Sequence, residues 1–176
     1  AVLCSDIRSF TSIGEKYGAR EVVEMLNGHL AAMSECIREN GGLVEQFIGD
    51  AVLAVFHGKS LPDACEKAVK AGVAMMRRHQ ENCLSRRQRG KFIYDIGVGI
   101  EGGELLSGTV TAVQRSDYTV VGTARNAAEE LESMSRHGRY TRIMVSPLVY
   151  ESVDNFRFVE HENQEAYELA SLEETE

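Results

Sequence analysis

The chain carries no C-x-x-C pair, no histidines at metal-ligand spacing, no apolar run of membrane-spanning length and too few basic residues to balance its acids. Each shortage removes a class of protein. Cys4, Cys36, Cys65 and Cys83 stand far apart, so they read as reduced thiols and small core fillers of a cytosolic domain, not as a disulfide framework. Without paired cysteines, or an H-x-x-x-H among the 5 histidines, a zinc site lacks its ligand set. No stretch approaches the roughly 20 apolar residues of a membrane helix, and the N-terminus lacks a basic-then-apolar signal pattern. No membrane contact is expected from this segment, and the expected location is the cytoplasm, including as the cytoplasmic part of a larger membrane-attached protein. With 19 Lys+Arg against 27 Asp+Glu, a net charge of −8 argues against nucleic acid as a partner. An acidic protein still takes nucleotides where metal ions screen the phosphates.

What is present suffices for one domain with a proper core: 176 residues, 43% of them apolar. The chain opens directly in a strand-like run, Ala1-Val2-Leu3-Cys4, so residues 1–176 are expected to be a single domain cut from a longer protein.

Residues 1–6 read as a buried strand and Ser9 to Gly18 as a short helix. Arg20 to Glu39 is an amphipathic helix with its stripe on Val22, Leu26, Leu30, Met33 and Ile37, ended by Asn40-Gly41-Gly42. Leu43 to Phe56 holds two apolar runs around Gly49-Asp50, the signature of a β-hairpin. Ser60 to about Cys83 is a second long helix with Pro62 in its first turn, its stripe on Leu61, Cys65, Ala68, Gly72, Met75 and Met76, followed by a solvated basic loop, Arg86 to Lys91. Strands are expected over Phe92 to Glu101, Glu104 to Val110 and Tyr118 to Val121, the last continuing the sheet. A helix over Thr123 to Ser135 turns Ala127, Leu131 and Met134 inward. Ile143 to Val145, a short helix around Pro147 to Val153, and strands at Phe156 to Glu160 and Ala166 to Leu169 complete the chain. The fold class is α+β, with a ferredoxin-like βαββαβ core and extra C-terminal strands and helix.

In that order the first strand and the hairpin can lie side by side, bringing Asp6 near Asp50. Two converging carboxylates repel unless a cation sits between them. Oxygen ligands with positions left open for phosphate suit magnesium. Arg8-Ser9-Phe10-Thr11-Ser12 opens a helix beside them, whose free N–H groups would face a phosphate chain.

Four ordered stretches then resemble the class III adenylate and guanylate cyclase catalytic domains. They are Ser5-Asp6-Ile7-Arg8-Ser9-Phe10-Thr11, Gln46-Phe47-Ile48-Gly49-Asp50-Ala51, the arm from Gly108 through Arg115 to Asp117-Tyr118-Thr119-Val120-Val121-Gly122, and Asn126-Ala127-Ala128-Glu129-Glu130-Leu131-Glu132. The resemblance spans nearly the whole chain and implies the nucleotide cyclase fold in a signalling protein. It implies conversion of ATP, GTP less so, to the 3′,5′-cyclic nucleotide and pyrophosphate. It also implies two Mg2+ or Mn2+ ions per site and a second cyclase domain that completes the site as a homodimer or heterodimer. Residue by residue, it makes Asp6 and Asp50 the metal ligands with the Ile7 carbonyl assisting. Phe10 and Thr11 become triphosphate contacts, Gln46 and Thr119 base readers, and Asn126 the residue that orients the ribose.

Two positions depart from the family pattern. Gln46 stands where the family reads the base with lysine, and its amide both donates and accepts. Glu130 stands where the family has an arginine, four residues after the asparagine. Arg125 lies five residues away and, at roughly 100° per residue, points elsewhere. Three outcomes are consistent with this set: an active homodimeric adenylate cyclase, the metal-binding half of a heterodimer, or a catalytically silent cyclase-like regulatory domain. A diguanylate cyclase would need an acidic pair after Gly41-Gly42, where the chain has Leu43-Val44.

Overall fold

The computed structural model describes the backbone of residues 1–112, 115–161 and 165–173, and the side chains of those residues outside 106–121. The chain runs β1 (Val2–Ile7), α1 (Phe10–Lys16), α2 (Ala19–Glu39), β2 (Gly42–Ile48), β3 (Ala51–Phe56), α3 (Leu61–Gln88) and β4 (Ile96–Glu101). It continues through β5 (Leu106–Ala112), β6 (Arg115–Val121), α4 (Thr123–Met134), β7 (Ile143–Val145), α5 (Pro147–Ser152), β8 (Phe158–His161) and β9 (Ala166–Leu169). Seven strands form one sheet in the order β2-β3-β1-β4-β7-β9-β8. Neighbours are antiparallel except β4 and β7. The first six elements of the expected core are thus assembled as an α+β sheet with β1 and the hairpin adjacent.

Alternation along the strands sorts side chains to two faces. Leu3 and Ile7 of β1, and Ile96, Val98 and Ile100 of β4, join the core under α2 and α3. Val2 and Cys4 face the other way, against Leu53, Ala124 and Ala128. There β4 presents Gly97 and Gly99. A Cβ on Gly99 would overlap the backbone of Ala128 and Glu132, so glycine is what lets α4 lie directly on the strand.

Several elements differ from the sequence expectation. Helix α3 runs to Gln88, so Arg86 to Gln88 are helical; Arg86 stacks over Phe92 at 4.5 Å and donates from Nε to the Phe92 carbonyl at 2.8 Å. Phe92 and Tyr94 are buried, which gave residues 92–95 a strand-like alternation, but pairing with β1 and β7 starts only at Ile96 and Val98. Strand β6 does not continue the main sheet; it pairs with β5 in a separate two-stranded sheet. The inward face of α4 is Ala124, Ala128, Leu131 and Glu132, with Ala127 and Met134 half-buried, because the flanking glycines draw a different side of the helix onto the sheet. On α2 the most buried positions include Met25, His29 and Cys36, while Leu26 and Leu30 are half-buried. His29 is fixed by Tyr94, whose hydroxyl lies 3.3 Å from His29 Nδ1.

Candidate active site

Strand β1 ends beside the β2–β3 turn, where Gly49 adopts φ 63 and lets the two strands close tightly. The Ile7 amide donates to Asp6 Oδ1 at 2.9 Å and to Asp50 Oδ2 at 3.3 Å, so two carboxylates 44 positions apart in sequence converge on one N–H. One amide cannot neutralise two negative charges. Burial and then the neighbouring Asp6 carboxylate raise the Asp50 pKa to about 7. A divalent cation would relieve that repulsion, and a two-carboxylate set leaves positions free for phosphate oxygens and water, so the residues present fit Mg2+ or Mn2+. Among the described residues no group of three or more metal-binding side chains gathers anywhere.

Behind this pair, Arg8 holds the strand end to α4. Its amide donates to the Asp95 carbonyl at 2.8 Å. Its side chain crosses Gly97, where a Cβ would overlap the guanidinium, and places Nη1 2.6 Å from Glu132 Oε1. Nη2 donates to the Glu132 carbonyl at 2.9 Å and to Ser135 Oγ. Glu132 is 4% exposed. Burial pushes its pKa up and that of Arg8 down, and each charge is kept by the other.

Asp6, Asp50, Phe10 and Thr11 line a pocket of about 450 Å3, with Arg136 and Arg142 on its wall. Arg142 has φ 59 and pairs through Nη1 with Asp95 Oδ2 at 2.9 Å. Phe10 is half-buried against the core and Thr11 is exposed. Sequence reasoning missed Glu132, Arg136 and Arg142. The alternation Ile96-Gly97-Val98-Gly99-Ile100 held a signal for Glu132, since two glycines on one strand face announce a closely packed partner. Nothing in the local sequence marked the two arginines.

The other proposed residues do not line this pocket. Asn126 and Glu130 are exposed on that helix, and Gln46 is exposed on β2. Arg125 Nη2 donates to Gln46 Oε1 at 3.3 Å, and its Nε lies 3.4 Å from Glu129 Oε1. Thr119 sits on β6 opposite Gly108, and its side chain lies outside the described residues.

The chain's similarities agree with this arrangement. The sequence pattern of the adenylate and guanylate cyclase catalytic domain matches residues 1–174. An adenylate cyclase of Anabaena cylindrica is 33% identical over 135 residues, which is 77% of this chain and 27% of that protein. The terminal-differentiation-specific adenylate cyclase of Dictyostelium discoideum is 32% identical over 152 residues, 86% of this chain and 7% of that protein. This chain therefore spans about a quarter or less of the length of these curated relatives. Among solved structures, the adenylyl cyclase CyaB from P. aeruginosa superposes with a TM-score of 0.85 at 27% identity, covering 97% of this chain and 92% of that one. The guanylyl cyclase Cya2 superposes with a TM-score of 0.79 at 29% identity, covering 94% and 87%.

Proposed function

Given that the chain belongs to the adenylate and guanylate cyclase catalytic domain family, we propose that it converts ATP to 3′,5′-cyclic AMP and pyrophosphate at a site completed by a second cyclase domain. The observation that carries this reading is the convergence of Asp6 and Asp50 on the Ile7 amide. These two side chains would hold Mg2+ or Mn2+, two ions per site, with the Ile7 carbonyl alongside. The ions would supply charge that lowers the pKa of the ribose 3′-hydroxyl and balances the departing pyrophosphate.

The chain's own residues do the rest. Arg136 and Arg142 bring positive charge to the pocket that Asp6 and Asp50 also line, where a triphosphate needs it. Phe10 and Thr11 close the pocket at the start of α1. Asn126 orients the ribose while Gln46 and Thr119 read the base, from the half that faces the partner's carboxylates. Held in line, the 3′-oxygen displaces pyrophosphate from the α-phosphorus, and positioning supplies much of the acceleration. The preference for ATP is supported by Thr119 and by the relatives named adenylate cyclases.

Glu130 favours a second reading. It is exposed on α4 where phosphate charge would arrive, and it brings a negative charge there. In that case the chain supplies the carboxylate half of a heterodimer, and a different cyclase domain supplies the arginine. The test is product formation by the purified domain with Mn2+ and ATP or GTP, alone and mixed with a second cyclase domain lacking its own metal aspartates. Cyclic AMP from the domain alone supports the homodimer, product only on mixing supports the heterodimer, and no product in either case contradicts both.

A further inference from the structure

The base-side half contains a glutamine whose amide meets a guanidinium. Strand β2 carries a bulge at Glu45: Val44 pairs with Ala54, yet Gln46 pairs with Leu53. Val44 and Ala54 belong to the core under α2 and α3, whereas Leu53 packs with Ala124 and Ala128 of α4. The extra residue thus turns Gln46 onto the α4 face, as bulges re-aim side chains. There it meets Arg125, at 3.3 Å. Arg125 is steadied on its other side by Glu129 and its side chain is 23% exposed. A guanidinium has donors and no acceptor, so whichever way the amide is drawn, its oxygen must be the atom that faces Arg125. The amide nitrogen is then the atom turned away from Arg125.

We propose that Arg125 is a positioning residue that locks the Gln46 amide so that this protein meets the substrate base with a fixed hydrogen-bond donor. The inference rests on the cyclase reading above and deepens it toward adenine. A free glutamine can turn either its oxygen or its nitrogen to a ligand. Held with its oxygen toward Arg125, it turns its N–H groups to a ligand on the far side. The ring N1 of adenine is an acceptor and is matched by that donor; N1 of guanine carries a hydrogen and is opposed by it.

The test is equilibrium binding of fluorescent ATP and GTP analogues with Mn2+, which needs no turnover, for wild type, Arg125→Ala, Gln46→Lys and the double variant. Thermal melts check folding. Arg125→Ala should weaken ATP binding by about three- to tenfold, the scale of one hydrogen bond, and leave GTP unchanged or improved. In the Gln46→Lys background the sign reverses. Lysine brings its own donors and Arg125 becomes a like charge beside it, so removing Arg125 strengthens ATP binding. Arg125→Lys, which keeps a donor toward the amide oxygen, should restore most of the loss. Equal losses for ATP and GTP, losses of the same direction in both backgrounds, or no binding of either nucleotide by the wild type would each overturn the proposal. The cyclase reading fails separately: sign reversal with intact binding but no Asp50-dependent product leaves the role of Arg125 standing and removes the reaction.

Discussion

The carboxylate half and the base half of this molecule are built differently. Asp6 and Asp50 are placed by backbone: a strand end, a two-residue turn and one shared amide, with the Arg8–Glu132 pair buried behind them. Gln46, Asn126 and Glu130 are exposed, and Gln46 is held by a side-chain contact from Arg125. The resemblance read in the sequence matches at Asp6 and Asp50 in the first half and has its two departures, Gln46 and Glu130, in the second.

The largest effect should come from breaking the first half at its centre. Asp50→Asn, or Asp6→Asn, should bring cyclic AMP formation down to background in an assay with Mn2+, with the fold retained by circular dichroism. Next, Glu132→Ala leaves Arg8 buried without its partner and should lower stability by about 3–5 kcal/mol in urea unfolding, whereas Glu129→Ala, at a partly exposed ion pair, should change it by less than about 1 kcal/mol. On the other half, Glu130→Arg should raise turnover with ATP, by up to about 10²–10³ if the arginine recovers a full charge-stabilising contact. A turnover unchanged by Glu130→Arg would show that position 130 does not meet the phosphates.

The smallest effect is a slope with pH. The folded pKa of Asp50, about 7, stands above its usual 3.8, so the metal-free folded state binds more protons than the unfolded chain between those values. The contribution of Asp50 to stability is present below pH 3.8 and is lost as pH rises toward 7. His29 has the opposite sign: burial lowers it from 6.5 to about 3, so the unfolded chain binds more protons between these values and stability falls as pH drops through them. Melting temperatures of wild type and Asp50→Asn across this range should diverge, the variant losing the decline toward pH 7 while keeping the acid limb.

Much of the carboxylate half was legible in the sequence. A β-hairpin signal at Gly49-Asp50 and a strand ending in Asp6 suffice once the strand order puts them side by side, and the order follows from the alternation of helices and strands. The base half was less legible. The Glu45 bulge reverses which face Gln46 occupies, and a bulge in a short strand leaves no periodic trace. Arg125 was expected to point away from Glu130, but its contact with Gln46, set by how α4 lies on the glycines of β4, was not anticipated. The strand expected from Phe92 starts only at Ile96 for a related reason: Phe92 and Tyr94 alternate because they pack against α2 and α3, and burial without a neighbouring strand looks the same in sequence.

The most direct measurement is a calorimetric titration of Mn2+ into the nucleotide-free protein at pH 7, beside Asp6→Asn and Asp50→Asn. The account predicts binding to the wild type with release of protons, since the raised pKa of Asp50 leaves it partly protonated at pH 7 and the cation displaces that proton, and loss of that binding in either variant. Equal Mn2+ binding by all three proteins would contradict it.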